Sequence, residues 1–332
     1  MLHNKRHESP ALPYPAPKRI PAARDDFRSK DRRKRQRFPW RHDMTLCLAA
    51  ISAGSRHPPR KLQFSLVSCT DERIETDIAG GNFGCKKKAV THDDGWQALW
   101  ADGEADADDF ANTLKDVLQP ETFTPTNIVS KLSEAAAIHI KKLTERHVSV
   151  KLGISFERFL THGEHEVLAD IRNQLWYEIK HLNLECEMIV SGFWNGMPLL
   201  FKIDREGTVS RAEHFAAIGS GAAVAESVLY QREQCLGNEL NETLYNVYEA
   251  FKMSSQIAPA VAGGPHMWIA EPELNNRAEI AEQYVTRSGI KVLERCFKRY
   301  GPKKAKNIPV LKDDNLYTFP TKLIRDFYRQ QS

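Results

Sequence analysis

Met44-Thr45-Leu46-Cys47-Leu48-Ala49-Ala50-Ile51-Ser52 is a short apolar run of β type that begins on a hydroxyl residue. A second strand-like run, Leu62–Cys69, follows after Gly54 and Pro58-Pro59, so the two read as a hairpin with a long loop. A further strand is expected at Trp96–Ala101. Asp102-Gly103 then opens a helix with Ala105, Phe110, Leu114 and Leu118 near helical spacing, and with Glu104, Asp106, Asp108 and Asp109 where the helix dipole favours acids. Thr124-Pro125 starts a second helix with Ile128, Leu132, Ala136, Ile140 and Leu143 on one stripe.

Residues 148–164 read as irregular, and Glu166–Leu182 as a helix presenting Val167, Ile171, Leu175 and Ile179. Strands return at Glu185–Gly192 and Leu199–Ile203, joined by the hairpin signal Asn195-Gly196. Phe215–Ile218 is a strand, and Gly219-Ser220-Gly221 passes into a helix at Ala222–Gln231. Another helix is expected at Glu239–Phe251 and an interrupted strand at Val261–Ala270. Two strand groups and two helical pairs predict an α+β domain, a four-layer αββα sandwich of two mainly antiparallel sheets between two helix layers.

Charge divides the chain. Residues 1–43 hold thirteen Lys/Arg against five Asp/Glu, a surplus of eight, while the whole chain of 332 residues is only +4; the remainder is therefore about −4. With Pro10, Pro13, Pro15, Pro17 and Pro21 ahead of Arg28–Arg37, the segment reads as a disordered basic tail or as sequence upstream of a start at Met44. The folded domain is placed at 44–275, and 276–332 is a C-terminal extension packed on it or mediating assembly. The six cysteines form no Cys-x-x-Cys pair, which argues against a zinc ribbon and a disulfide framework. No uninterrupted apolar run is long enough to span a bilayer, so a cytoplasmic protein without membrane contact is expected. Phosphate-cradling glycine motifs are missing, which implies no cofactor. His162-Gly-Glu-His165 does not put both rings on one helical face with a base between them, so it is expected to be a solvated loop and not a metal site.

Thr45 carries the chemistry. A Thr hydroxyl is a weak nucleophile until a base adjoins it, and in an N-terminal threonine that base is the residue's own α-amine, which titrates near neutrality. The mechanism needs residues 1–44 removed; otherwise Thr45 only starts a strand.

Taken together, the Thr45 strand, Ser68-Cys-Thr-Asp-Glu-Arg73, Gly84-Cys-Lys-Lys-Lys88, Ala101-Asp-Gly-Glu-Ala105, the Gly192–Gly207 hairpin and Ala217-Ile-Gly-Ser-Gly221 resemble the bacterial proteasome-like peptidases and proteasome β-subunits over roughly residues 44–270. The resemblance implies a threonine-type peptidase acting on a peptide or protein substrate within a homo-oligomeric ring. It implies Thr45 as nucleophile, Lys88 as the catalytic lysine and Asp71 as the acid that orients it, Ser220 as partner of the Thr45 amine, and the Gly219 N–H as oxyanion donor. Counting forward from Asp71 gives Lys87 in place of Lys88, a one-residue difference that reverses the side chain's face in a strand. Met44 replaces the glycine common at self-processed junctions; initiation at Met44 with loss of the methionine would expose Thr45. A family aspartate has no match in Met253–Pro259, where Ser254 or Ser255 is a partial substitute. Two rival readings are a catalytically silent scaffold subunit of the same fold and a nucleic-acid-associated protein using the basic tail, the latter only weakly suggested.

Overall fold

The computed structural model describes residues 46–53, 64–71, 73–76, 83–86, 89–91, 96–118, 124, 126–258, 261, 263–272 and 280–301. The chain divides into Met1–Trp40, outside the described residues, and Arg41–Ser332, which carries every element below. Strands are β1 (Leu46–Ser52), β2 (Ser65–Asp71), β3 (Arg73–Thr76), β4 (Phe83–Lys86), β5 (Ala89–Thr91), β6 (Trp96–Ala101), β7 (Glu187–Trp194), β8 (Met197–Ile203), β9 (Val209–Arg211), β10 (Phe215–Gly219), β11 (Pro265–Pro272) and β12 (Ile280–Tyr284). Helices are α1 (Glu104–Val117), α2 (Ile128–Leu152), α3 (Phe156–Glu166), α4 (Ala169–Lys180), α5 (Ala222–Gln231), α6 (Leu240–Ile257) and α7 (Arg287–Tyr300).

Two five-stranded antiparallel sheets form the centre, in the orders β10-β1-β2-β11-β12 and β5-β6-β7-β8-β9, while β3 and β4 pair separately. The period of two along a strand divides its side chains between faces. Leu46, Leu48 and Ala50 pack under α5 and α6, while Cys47, Ala49 and Ile51 of the same strand meet the other sheet. Trp96, Ala98 and Trp100 face α1 and α2, while Leu99 and Ala101 face inward. The strands are therefore covered on both faces, and β1 is buried along its whole length. Each fully buried aliphatic side chain of this kind contributes about 1.5–3 kcal/mol relative to exposure. The architecture is the expected α+β sandwich, with layers in the order helices, sheet, sheet, helices.

Several local expectations are corrected. Residues 148–164 are helical: α2 runs on to Leu152 and stops on left-handed Gly153, and α3 follows, capped by the Ser155 hydroxyl, which accepts the Arg158 N–H. Gly163 is buried within that helix, where a Cβ would stand 3.2 Å from the ring of Phe159 one turn away. His162-Gly-Glu-His165 is thus on α3 and not in a loop. Residues 280–301 supply the edge strand β12 and helix α7, whose Ile290, Leu293 and Phe297 join the core above the first sheet. The strand expected at Val261–Ala270 begins at Pro265, where pairing with Asp71 starts. Among the described residues no helix is long and apolar enough to cross a membrane.

Candidate active site

The ends of four strands meet at one corner of the first sheet. β1 starts there at Leu46, β2 and β10 end at Asp71 and Gly219, and β11 starts at Pro265; Leu46 pairs with Gly219 and Pro265 with Asp71. Asp71 is 4% exposed, and its Oδ1 accepts the Leu46 N–H at 3.3 Å. That N–H belongs to the peptide joining Leu46 to Thr45. Thr45, Lys87 and Lys88 themselves lie outside the described residues.

Ser220 is exposed in the turn between β10 and α5. Behind it, Gly221 is buried so closely that a Cβ there would stand 3.1 Å from Ser254, 3.2 Å from Val261 and 3.4 Å from the Leu46 side chain. Ser254, fully buried on α6, donates its hydroxyl to the Gly221 carbonyl at 3.1 Å. Ser255 turns back on its own helix and donates to Lys252 O at 2.9 Å. Of the two serines weighed at Met253–Pro259, it is Ser254 that supports the turn.

Gly219 has φ +89°, a conformation that favours glycine. Its N–H, expected as an oxyanion donor, is given to Glu187 Oε2 at 2.9 Å. Glu187 opens β7 on the second sheet and pairs with Ala101. Sequence reading passed over it because nothing local distinguishes a glutamate at a strand start; only the meeting of the two sheets makes it part of this corner. The Ala101-Asp102-Gly103 turn adjoins it. Asp102 and Gly103 have φ +66° and +38°, and a Cβ on Gly103 would come within 2.7 Å of the Glu185 carbonyl, so the turn admits only glycine at that position. Asp102 is ion-paired with Arg205. Between the sheets, Cys47 Sγ donates to Trp100 O at 3.0 Å. Two other buried thiols are inert: burial, helped by nearby Asp106, pushes Cys186 up to about 12, and burial raises Cys69 likewise.

A second polar group lies under α1 and α2. Asp106, expected as a first-turn acid favoured by the helix dipole, is fully buried, with Oδ1 2.8 Å from His139 Nε2 and Oδ2 accepting the Glu185 N–H at 3.0 Å. Burial alone would raise its carboxyl; the His139 and Glu185 bonds and the charge of Arg146 outweigh that and hold it below the usual range. The pair ties helix α1 to α2 and to the approach to β7, and Phe110 stacks on the imidazole. Among the described residues no group of three or more His, Cys, Asp or Glu is placed to hold a metal ion.

Comparison of the sequence with models of known protein families and with characterised proteins returns no match.

Proposed function

We propose that the chain is a threonine-type amide hydrolase, a peptidase working as one subunit of a proteasome-like homo-oligomeric ring in the cytoplasm. The observation that carries this reading is the Asp71 carboxylate bonded to the Leu46 N–H, with Gly219 and Ser220 at the neighbouring strand end. It brings two of the expected site elements, far apart in sequence, beside the peptide that joins Thr45 to the body.

On this reading the freed Thr45 α-amine takes the hydroxyl proton as the oxygen attacks a substrate carbonyl. A lysine, Lys88 or Lys87, favours the anionic form of that oxygen, and Asp71 keeps the lysine charged and aimed. Ser220 hydrogen-bonds the amine. The tetrahedral oxyanion needs a preorganised N–H donor, and Gly219 can serve only when Glu187 gives up its bond. That engagement is the observation favouring the alternative, a catalytically silent scaffold subunit.

Intact mass and N-terminal sequencing of protein purified from its own source separate the two. A chain beginning at Thr45, with amide hydrolysis abolished in a folded Thr45→Ala variant, is the expected outcome. A chain retaining residues 1–44, or activity undiminished in Thr45→Ala, sinks the hydrolase reading and leaves the scaffold.

A further inference from the structure

The Gly219-Ser220-Gly221 turn is held from two sides by residues of different layers. On one side Ser254 of α6 donates to the Gly221 carbonyl. On the other, Glu187 reaches across from the second sheet and accepts the Gly219 N–H. Gly219 sits at φ +89° as the last residue of β10, so its pairing with Leu46 is the end of that ladder and nothing beyond it in the strand holds the peptide plane. A charge-assisted bond of 2.9 Å to a partly buried carboxylate is the stronger kind of backbone bond and adds a restraint at that ladder end.

We infer that Glu187 is a positioning residue: its carboxylate locks the Gly219 peptide, and through it sets where Ser220 stands relative to the start of β1. The bond couples the two sheets at this corner, because Glu187 is fixed by its pairing with Ala101 and Gly219 by its pairing with Leu46. The catalytic half of this inference rests on the hydrolase reading above; the bond itself does not. It also makes the Gly219 N–H a structural bond, so an oxyanion would be met by another donor.

The test uses the full chain and the variants Glu187→Ala and Glu187→Gln. Ile218-Gly219 is the one Ile-Gly step in the sequence, so labelling isoleucine carbonyls with ¹³C and glycine with ¹⁵N gives a single NMR amide signal for Gly219. That signal is expected downfield and slowly exchanging in the parent. In Glu187→Ala it moves upfield and exchanges faster, and in Glu187→Gln, which keeps an acceptor oxygen, it lies between the two. A Gly219 amide that is unchanged in Glu187→Ala overturns the inference, whatever the activity. If Glu187→Ala does not fold, Glu187→Gln alone decides: its signal must shift while the rest of the spectrum stays.

The second arm, on protein from which residues 1–44 have been removed, measures labelling of Thr45 by a peptidyl epoxyketone, which needs both the hydroxyl and the α-amine of an N-terminal threonine. Misplacement of a site element by about 1 Å costs on the order of 100-fold. A loss of that size is expected for Glu187→Ala in the maximal labelling rate, with the half-saturating concentration little changed, and Glu187→Gln restores most of it. Labelling as fast as the parent, or faster, in Glu187→Ala overturns the positioning role and makes Glu187 an occupant that blocks the donor. Failure of parent and Thr45→Ala alike to label sinks the hydrolase reading, and the positioning role for catalysis with it; the amide signal still decides the bond.

Discussion

The sandwich and the helical arm formed by the end of α2 with α3 and α4 are built from similar residues and held in different ways. In the sandwich, strands are covered on both faces, and three apolar layers interlock through shared strands. The arm has one small cluster, in which Val148, Phe159 and Leu175 are buried with Phe156 and Trp176 beside them. Much of its apolar surface stays in solvent: Val150 is 80% exposed, Leu168 75% and Tyr177 66%. Polar contacts at the surface complete it: ion pairs of Arg158 with Glu166 within α3 and of Lys151 of α2 with Glu178 of α4, and a hydrogen bond between His147 of α2 and Glu178. A layer enclosed on two sides unfolds only with the whole domain, whereas a lightly buried arm opens by itself.

The largest expected effect comes from emptying each region of one ring. Phe251→Ala, in α6 against the first sheet, should cost about 3–5 kcal/mol of global stability, read as a lowered denaturant midpoint. Phe159→Ala should leave that midpoint nearly in place and raise hydrogen exchange across residues 154–180. Equal falls in the midpoint would show that the arm is part of the same cooperative unit.

Asp106 sharpens the contrast from the side of charge. Asp106→Ala strands the His139 ring and the Glu185 N–H inside the protein, a loss of about 3 kcal/mol for a broken buried pair. Because its carboxyl titrates lower folded than unfolded, the bond's contribution is fully present above the unfolded value near 4 and is lost as pH falls through the folded value. Acid melting of parent and variant should therefore converge at low pH. A constant gap between the two at all pH values would refute the assignment.

The smallest effect is expected at Glu178, whose carboxyl is lowered to about 2 by the His147 bond first and by Lys151 and Gln174 after it. The sign is the same as for Asp106. Glu178→Gln should loosen α4 from α2, with faster exchange over residues 170–180 at pH 7 and a difference that fades as pH falls through the folded value of about 2, while the global midpoint stays put. A shift of the midpoint would tie the arm's packing to that of the sandwich.

The fold was largely legible because its signals are local. Apolar runs such as Trp96–Ala101 and Ala222–Gln231 end where the structure ends them, as β6 and α5. What escaped depended on distant neighbours. Residues 148–164 read as irregular until Val148, Phe159 and Leu175 are seen packed together, and Ile280–Tyr284 is a strand because Trp268 and its neighbours offer an edge. The same division holds for the candidate site. Asp71, Gly219 and Ser220 were named from resemblance and do gather at the head of β1 with Leu46. Glu187 and Asp106 were not, since a carboxylate's partner across two layers leaves no trace in its own segment. Thr45, Lys87 and Lys88 remain expectations from sequence.

The position of β1 also sets an order of events during synthesis. Its neighbours are β2, which emerges from the ribosome some fifteen residues later, and β10, which arrives only with Phe215–Gly219. Until then one backbone edge of a largely apolar strand, buried along its whole length in the finished fold, has no partner, and such an edge recruits other chains. A nascent chain of about 200 residues is therefore the aggregation-prone species, and pairing of residues so far apart is slow to form. Protection by a chaperone would be needed for that interval, which ends for β1 when β10 pairs with it and for β2 only when β11 arrives.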